Sequence, residues 1–316
     1  MTADCPDDFP YERVSHKVDA GDCRACWDVA MGLQRVDGLS VSDYLRSLAD
    51  GNVSGEFDLD TARRMLRTYY SQRKGEAAAD AVASRNQTAV GGGVDSGFDS
   101  RAEEADLVSV RIVELLQENA FAFTPGMLSA IHERLFQEID DDAYRPGKYK
   151  TEALQKREVV LNGDSVLYCD PSLIAQSLAF AFSEEADAYY APDFDADQLD
   201  RFARFVSRVW QVHPFAEGNT RTVAVFVILY LRYLGFDADN EPFKRHSAYF
   251  RDSLVRANYR NAKAGVMPDR TFLMRFFENM LCGTENDLRS RDLVVQRLFD
   301  DPSLLRNVPP SDALSR

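Results

Sequence analysis

The sequence contains no apolar run of about 18 residues, the length that a helix needs to cross a membrane. Its first residues, MTADCPDDFPYERV, are acidic and include no apolar core of a secretory signal. Positive charge is also scarce, because 37 Lys and Arg face 51 Asp and Glu, and the net charge is −14. Nucleic acids recruit basic surfaces, so this balance argues against a nucleic-acid partner. We therefore expect a cytoplasmic protein without a membrane segment, and its oligomeric state stays open.

Cysteine is infrequent, and its count of five is odd. In a cytoplasmic chain this favours free thiols over a disulfide framework. Cys23 and Cys26 form a CxxC pair, but a second close pair of metal ligands is missing. Ordinary thiols are therefore favoured at this pair over a zinc or redox site.

The chain divides into regions of different composition. The stretch 75–104 is rich in Ala, Gly, Ser and Asp and has three consecutive glycines, so it buries too little surface to offset the cost of ordering. Helical spacing of apolar residues and capping residues such as Ser42 mark the segments on both sides. We predict a small helical module at 1–74, a flexible linker at 75–104, a helical domain at 105–283, and a C-terminal helix and tail at 284–316.

One segment of the domain at 105–283 does not have a helical pattern. In REVVLNGDSVLYCD, at 157–170, two short β-rich runs flank Asn162 and Gly163, a strong signal for a hairpin turn. The other segments carry amphipathic periodicity, and a cap residue before Pro125 is typical of a helix start. The sequence predicts an all-α fold with a single β-hairpin.

The stretch 213–222 reads HPFAEGNTRT and joins two predicted helices. One helix stops at Pro214, and a strongly apolar helix begins near Asn219 or Thr220. The backbone N–H groups of 217–221 would lie at the N-terminus of that helix, where they have no intrahelical partners and attract anions. We therefore predict a phosphate site at this turn.

Four residues of this stretch suit chemistry on a phosphate. Gly218 lets the backbone approach a phosphate closely, and Arg221 adds a forked cation. Glu217 is suited to holding Mg²⁺ beside the phosphates, and His213 can take a proton near neutral pH. Together they favour the attack of a hydroxyl on a nucleotide phosphate.

The string H-P-F-x-E-G-N-x-R resembles the signature of the Fic family, HxFx(D/E)GNGRxxR. The helical core, the predicted hairpin and the downstream segment SAYFRDSLVRANY are similar to that family as well. The resemblance implies transfer of AMP from ATP to a Ser, Thr or Tyr hydroxyl of a target protein. It further implies that His213 is the general base and that Glu217 binds Mg²⁺. The phosphate-binding residues would be Gly218, Asn219, Thr220, Arg221 and Thr222.

The resemblance also assigns roles outside the motif. The hairpin of the family is a flap that docks the target as an added strand, and here it would span about 158–168. Asp164, Ser165 and Val166 would lie near its tip. Asn258-Tyr259 stands where the family builds part of its nucleotide-base pocket, although simple helix packing explains this pair equally well.

Two positions depart from the family signature. Thr220 replaces its second Gly, and Ala224 replaces its second Arg, which in the family contacts the γ-phosphate end of ATP. ATP binding should therefore weaken unless another donor or cation compensates. Transfer of another nucleotidyl or phosphoryl group, or a non-catalytic role in binding a nucleotide, are the alternatives. His213 argues against the last, because a protein that only binds has no need of a base.

The segment GLQRVDGL, at 32–39, resembles the helix of VbhA-type antitoxins that partner Fic toxins. In those proteins a motif (S/T)xxxE(G/N) sets a Glu against the second Arg of the signature. The aligned residues here are Leu33, Asp37 and Gly38, and Ala224 removes the Arg. We therefore expect an intramolecular antitoxin-like module that restrains the domain weakly, unless Asp37 reaches Arg221 or a bound Mg²⁺. A generic helical module is the alternative.

Overall fold

The protein is described by a computed structural model for residues 20–85, 99–118, 120–139, 143–191 and 194–306, without the side chains of 80–85. Within these ranges the chain is helical and forms no β-strand, only an isolated bridge between Asn261 and Val266. Its α-helices are α1 (Ala20–Leu33), α2 (Asp43–Ser54), α3 (Leu59–Arg85), α4 (Ser100–Gln117), α5 (Pro125–Phe136), α6 (Ile174–Glu185), α7 (Ala196–Val212), α8 (Asn219–Tyr233), α9 (Glu241–Asn258), α10 (Thr271–Leu281) and α11 (Gln296–Asp300). No described helix is long and apolar enough to span a bilayer. The all-α fold expected from the sequence is confirmed.

Helix α8 lies at the centre of the fold. Its sequence, NTRTVAVFVILYLRY, is apolar on all sides after the first turn, and such a helix is stable only when it is surrounded. Helices α4, α5 and α7 pack around it, so that Val223 to Leu231 are buried without a break. The short loop 213–218, which we call the motif loop, connects α7 to α8 and is thereby held at one end of this core.

The N-terminal helices are packed on the same core. Helix α1 lies against α4 and α9 and buries Trp27 and Leu33 completely. At Gly32, a Cβ would lie 2.5 Å from the backbone oxygen of Lys244, so only glycine permits this approach to α9. A 3₁₀ turn, Gln34–Asp37, follows α1 and ends at Gly38 in a left-handed conformation. This segment, the Asp37 turn, contacts both α8 and α9.

The boundaries of the predicted linker differ from the structure. Helix α3 continues to Arg85, and α4 begins at Ser100 behind an Asp99 cap, while 86–98 lie outside the described residues. The extension has a local cause, because the stretch EAAADAVA is rich in alanine, the strongest helix former. The predicted linker at 75–104 is therefore helical at both of its ends.

The predicted β-hairpin is not confirmed. The segment 157–170, which we call the flap segment, contains a 3₁₀ turn at Val159–Leu161, and Asn162 follows in a left-handed conformation. The N–H of Glu158 donates to the carbonyl of Asp164 at 3.0 Å, which closes a compact loop rather than a ladder.

The predicted C-terminal helix is also different. The first part of 284–316 forms a 3₁₀ turn at Ser290–Leu293, the short helix α11 and a second 3₁₀ turn at Pro302–Leu304. Residues 307–316 lie outside the described part of the chain.

The flap segment and the C-terminal segment hold each other in these shapes. The N–H of Val295 donates to the carbonyl of Val160 at 2.9 Å. The side-chain amide of Asn162 donates to the carbonyl of Leu298 at 2.9 Å. Groups that a β-hairpin or a longer helix would pair locally are thus paired across the chain.

Candidate active site

The motif loop is fixed by its own polar groups. Helix α7 ends at Val212 and is capped by His213, whose φ of 49° is left-handed and whose N–H donates to the carbonyl of Trp210 at 3.0 Å. The amide of Asn219 then bridges the loop, since it accepts from Phe215 N–H at 3.0 Å and donates to the carbonyl of Phe215 at 2.8 Å. Asn219, predicted to hold phosphate, therefore uses its side chain to shape the loop.

His132, on α5, stabilises the motif loop through a hydrogen bond and ring stacking. Its Nδ1 accepts the N–H of Gly147 at 3.0 Å, so its Nε2 carries the proton and donates to the carbonyl of Glu217 at 3.0 Å. The ring stacks on Phe215 with centroids 3.8 Å apart, and burial lowers the pKa of His132 to about 4. Motif reasoning did not find this residue. Its place on the apolar face of α5, four residues after Leu128, was the only signal.

His213 has the surroundings of a base held neutral. Its ring is 2% exposed, and neither nitrogen has a hydrogen-bond partner among the described residues. The ring stacks on Tyr168 of the flap segment with centroids 3.9 Å apart. Burial lowers the pKa of His213 well below its usual value, and the charges of Lys156 and Lys150 add to this effect. His213 is therefore uncharged at neutral pH and able to accept a proton.

Glu217 lies in the motif loop and is more exposed than His213. Its carboxylate pairs at 2.8 Å with Lys156, the residue directly before the flap segment. Among the described residues, no cluster of three His, Cys, Asp or Glu side chains could hold a metal alone. Mg²⁺ needs only one or two carboxylates when phosphate oxygens complete its coordination shell. Glu217 fits that role once its ion pair with Lys156 is broken.

Arg221, in the first turn of α8, is fully buried and extensively paired. Its guanidinium lies 2.8 Å from the Asp37 carboxylate and 2.8 Å from that of Glu104. It also donates to Gln34 at 3.1 Å and to the hydroxyl of Tyr144 at 2.7 Å. Burial opposes the charge of Arg221, but Asp37, Tyr144 and Glu104 outweigh it and raise the pKa. The Asp37 turn is thus ion-paired with the arginine that the sequence predicts to bind phosphate.

The hydroxyl groups of Thr220 and Thr222 form hydrogen bonds within the protein. Thr220 accepts the indole N–H of Trp210 at 3.0 Å, and Thr222 donates to the carbonyl of Gly218 at 2.9 Å. Both side chains stabilise the junction of α7 and α8. The first backbone N–H groups of α8 have no partners within the helix, so they are the donors that this end could offer to an anion.

The predicted nucleotide-base pair contributes to packing in this conformation. The amide of Asn258 donates to the carbonyls of Ser207 and Leu254, at 3.2 and 2.9 Å. Tyr259 is fully buried, and its hydroxyl donates to Asp164 at 2.6 Å. Both side chains are thus bonded within the fold, which corresponds to the packing alternative.

The three predicted docking residues of the flap are likewise buried. Asp164, Ser165 and Val166 are at most 2% exposed, so they present no edge to another chain in this conformation. The apolar side chains that the flap segment exposes are Val159 and Leu167.

Part of the chain is similar to known proteins. Residues 122–231 match the model of the Fic/DOC family. The probable protein adenylyltransferase y4lH of Sinorhizobium fredii (strain NBRC 101917 / NGR234) is 26% identical over 164 residues, which cover 51% of this chain and 72% of that protein. The crystal structure of a Fic family protein from Desulfovibrio desulfuricans G20 is 18% identical, with a TM-score of 0.40, over 88% of this chain and 75% of that one. The matched segment includes the motif loop and most of α8.

Proposed function

We propose that this chain, whose residues 122–231 match the model of the Fic/DOC family, transfers AMP from ATP to a Ser, Thr or Tyr hydroxyl of a target protein. The observation that carries the proposal is the ring of His213, which is neutral, has no hydrogen-bond partner within the described part of the chain, and lies in the loop before α8, whose first turn holds Arg221. A base and an anion site at one helix junction suit the attack of a hydroxyl on a phosphate.

Each residue of the motif has a task in this reaction. The hydroxyl oxygen bonds to the α-phosphorus, the bond to pyrophosphate breaks, and the hydroxyl proton passes to His213. The N–H groups at the start of α8 and the guanidinium of Arg221 hold the phosphates. Glu217 is the residue that would hold Mg²⁺, which neutralises phosphate charge when bound.

In this proposal the described conformation is a closed one. The carboxylate of Asp37 and the amide of Gln34 cover Arg221, so a phosphate reaches that cation only after the Asp37 turn moves away. The N-terminal helices would then restrain the domain directly, as an intramolecular antitoxin-like module, rather than weakly as Ala224 alone implies.

A second candidate is a Fic-type regulator that binds a nucleotide without transferring it. Arg221 is already paired with Asp37 and Glu104, and Ala224 replaces the second signature Arg. Both observations favour this function. Transfer of another nucleotidyl or phosphoryl group is the remaining enzymatic alternative. These three functions differ in what becomes attached to protein.

The test is mass spectrometry of the chain for self-attached groups after incubation with each NTP, with and without Mg²⁺. We expect AMP to be attached from ATP, and His213→Ala to lower the rate by about 10²–10⁴ while ATP still binds. His246→Ala, a change in the partly exposed histidine of α9, is the matched control. Full transfer by His213→Ala, or ATP binding with no attached group under any condition, would contradict the proposal.

A further inference from the structure

The motif of this chain supplies one arginine where the family signature has two. Ala224 stands at the second position, one turn after Arg221 on α8, and is fully buried, so it brings no charge to a bound phosphate. Triphosphates are normally neutralised by several cations, because their negative charge is large and concentrated. A second cation for the nucleotide therefore has to come from another element of the fold.

Lys156, directly before the flap segment, is a cation in direct contact with the motif loop. Its ammonium group lies 2.8 Å from a carboxylate oxygen of Glu217. Its charge also acts on His213, since burial lowers the pKa of that ring most and the charge of Lys156 lowers it further. Lys156 therefore lies close to the two residues of the motif loop that the proposed reaction uses as base and as metal ligand.

The pair between Lys156 and Glu217 is suited to exchange of partners. The two side chains are 24% and 38% exposed, and partly exposed ion pairs contribute little to stability. The backbone of Lys156 is fixed, because its N–H donates to the hydroxyl of buried Ser165 at 3.2 Å, while the four-carbon side chain stays flexible. The ammonium group can therefore leave the carboxylate while the flap segment stays in place.

Lys150 also contacts the motif loop, but it is held differently. Its N–H donates to the carbonyl of Pro214 at 2.8 Å. Its side chain is buried, and the ammonium group lies 5.6 Å from the ring centre of Tyr168. A ligand that enters from solvent can reach the partly exposed side chain of Lys156, whereas that of Lys150 is covered.

We propose that Lys156 is the second phosphate cation of this chain, and that its ammonium group leaves Glu217 and contacts the phosphates when a nucleotide binds. The assignment rests on the proposed function, because it takes the phosphates to lie at the motif loop beside Arg221. In the empty site the same ammonium group neutralises Glu217, a carboxylate that would otherwise repel a phosphate. Once the pair is broken, Glu217 is free to hold Mg²⁺.

The experiment measures equilibrium binding of ATP and of inorganic tripolyphosphate by calorimetry, in full-length protein carrying Asp37→Ala and in buffer without Mg²⁺. Lys156→Gln is the test variant, and Lys156→Arg keeps the charge. Both are repeated together with Glu217→Gln, so that a lost phosphate contact can be told from a lost neutralisation of Glu217. The matched control is Lys148→Gln, which removes an exposed lysine from the segment before Lys156.

We expect Lys156→Gln to bind both ligands about tenfold more weakly than the Lys148→Gln control, because a charge-assisted contact is lost. A loss of about tenfold should persist when Glu217→Gln is present, and Lys156→Arg should lose less than about threefold. Thermal denaturation should show the same stability for the Lys156 variants and the control, since the pair is partly exposed.

Three results would overturn the assignment. They are an ATP affinity equal to that of the control, a loss for ATP without one for tripolyphosphate, and a loss that disappears when Glu217→Gln is present. The last result would leave Lys156 as a partner of Glu217 and of nothing else.

A further variant, Arg221→Gln, separates this inference from the proposed function. If ATP binding depends on Arg221 and is indifferent to Lys156, only the role of Lys156 is wrong. If the Asp37→Ala protein binds neither ligand with or without Mg²⁺, or binds both independently of Arg221, the proposed function and this inference fall together.

Discussion

Gly218 shows how strictly the motif loop depends on one residue. Its φ is 75°, and a Cβ there would lie 2.3 Å from Cε2 of Phe136. Gly163 has a similar φ of 84°, with no atom near the corresponding Cβ position. We expect Gly218→Ala to lower the free energy of unfolding by about 2–4 kcal/mol in urea denaturation, and Gly163→Ala by roughly 1 kcal/mol from the backbone alone. Equal losses would mean that Phe136 moves aside without cost.

Asp37 allows a test of closure at the level of a single carboxylate. Removing it leaves Arg221 paired with Glu104 but opens one side of the guanidinium to a phosphate. We expect Asp37→Ala to increase ATP affinity and self-modification by about tenfold or more, measured by calorimetry and mass spectrometry. Asp50→Ala, which breaks the exposed pair with Arg24, is the control. If Asp37→Ala changed neither ATP affinity nor self-modification, the N-terminal module would restrain the domain only weakly, as the replacement of the second signature Arg by Ala224 predicts.

At the scale of elements, the structure agrees with the sequence where the cause of folding is local. The helix that was expected to stop at Pro214 ends at Val212, and the apolar helix expected to begin near Asn219 or Thr220 begins at Asn219, because caps and apolar spacing act within each helix. Asn162-Gly163 correctly marked a turn, but the strands beside it did not form. The carbonyl of Val160 and the side-chain amide of Asn162 are instead bonded to the C-terminal segment, a contact that no local pattern reveals.

The candidate site was likewise predictable only where its residues are close to one another in the sequence. The motif supplied His213, Glu217 and Arg221 as neighbours because they lie within nine residues of each other. The ion pair between Asp37 and Arg221 joins distant parts of the chain, and the sequence offered it only as one of two possible partners. His132 was missed, since a buried histidine on an apolar helix face has no signature.

The junction between α5 and the motif loop has a pH dependence that can be measured. Burial lowers the pKa of His132 to about 4, so the folded protein keeps it neutral while the unfolded chain binds a proton near pH 6.5. The stability from neutral His132 is therefore complete above about pH 6.5 and is lost as the pH falls toward 4, in total roughly 3 kcal/mol. Urea denaturation between pH 7.5 and 5 should show about 2 kcal/mol of this loss.

The variant His132→Gln isolates this contribution. We expect its free energy of unfolding to depend less on pH than that of the wild type, with the remainder due in part to His213, whose pKa is also lowered by burial. His246→Gln is the matched control on α9. An identical pH dependence in His132→Gln and the wild type would show that the pKa of His132 does not differ between the folded and unfolded chains.

For the whole molecule, net charge and local charge have opposite signs. The chain carries −14, yet Lys150, Lys156, Arg221 and Arg251 surround the motif loop and the flap segment. The ammonium group of Lys150 is buried with no hydrogen-bond partner among the described residues, which is unfavourable unless an anion lies nearby. A net negative charge of this size disfavours the approach of large polyanions, so the cationic groups at the motif loop act only at short range.

The last prediction concerns the N-terminal helices as part of this whole. Because α1 lies between α4 and α9 and buries Trp27 and Leu33 completely, deletion of 1–74 would expose the apolar surface that it covers. We expect the deleted protein to unfold at a lower temperature and to associate, while Asp37→Ala, which leaves that packing intact, melts close to the wild type. Trp27→Ala should lower the free energy of unfolding by about 3–5 kcal/mol. Thermal denaturation and sedimentation of the three proteins measure this. A deleted protein that stays monomeric, melts like the wild type and is fully active would instead make 1–74 a separable domain, and the Asp37 turn would then be a removable cover on an independently stable core.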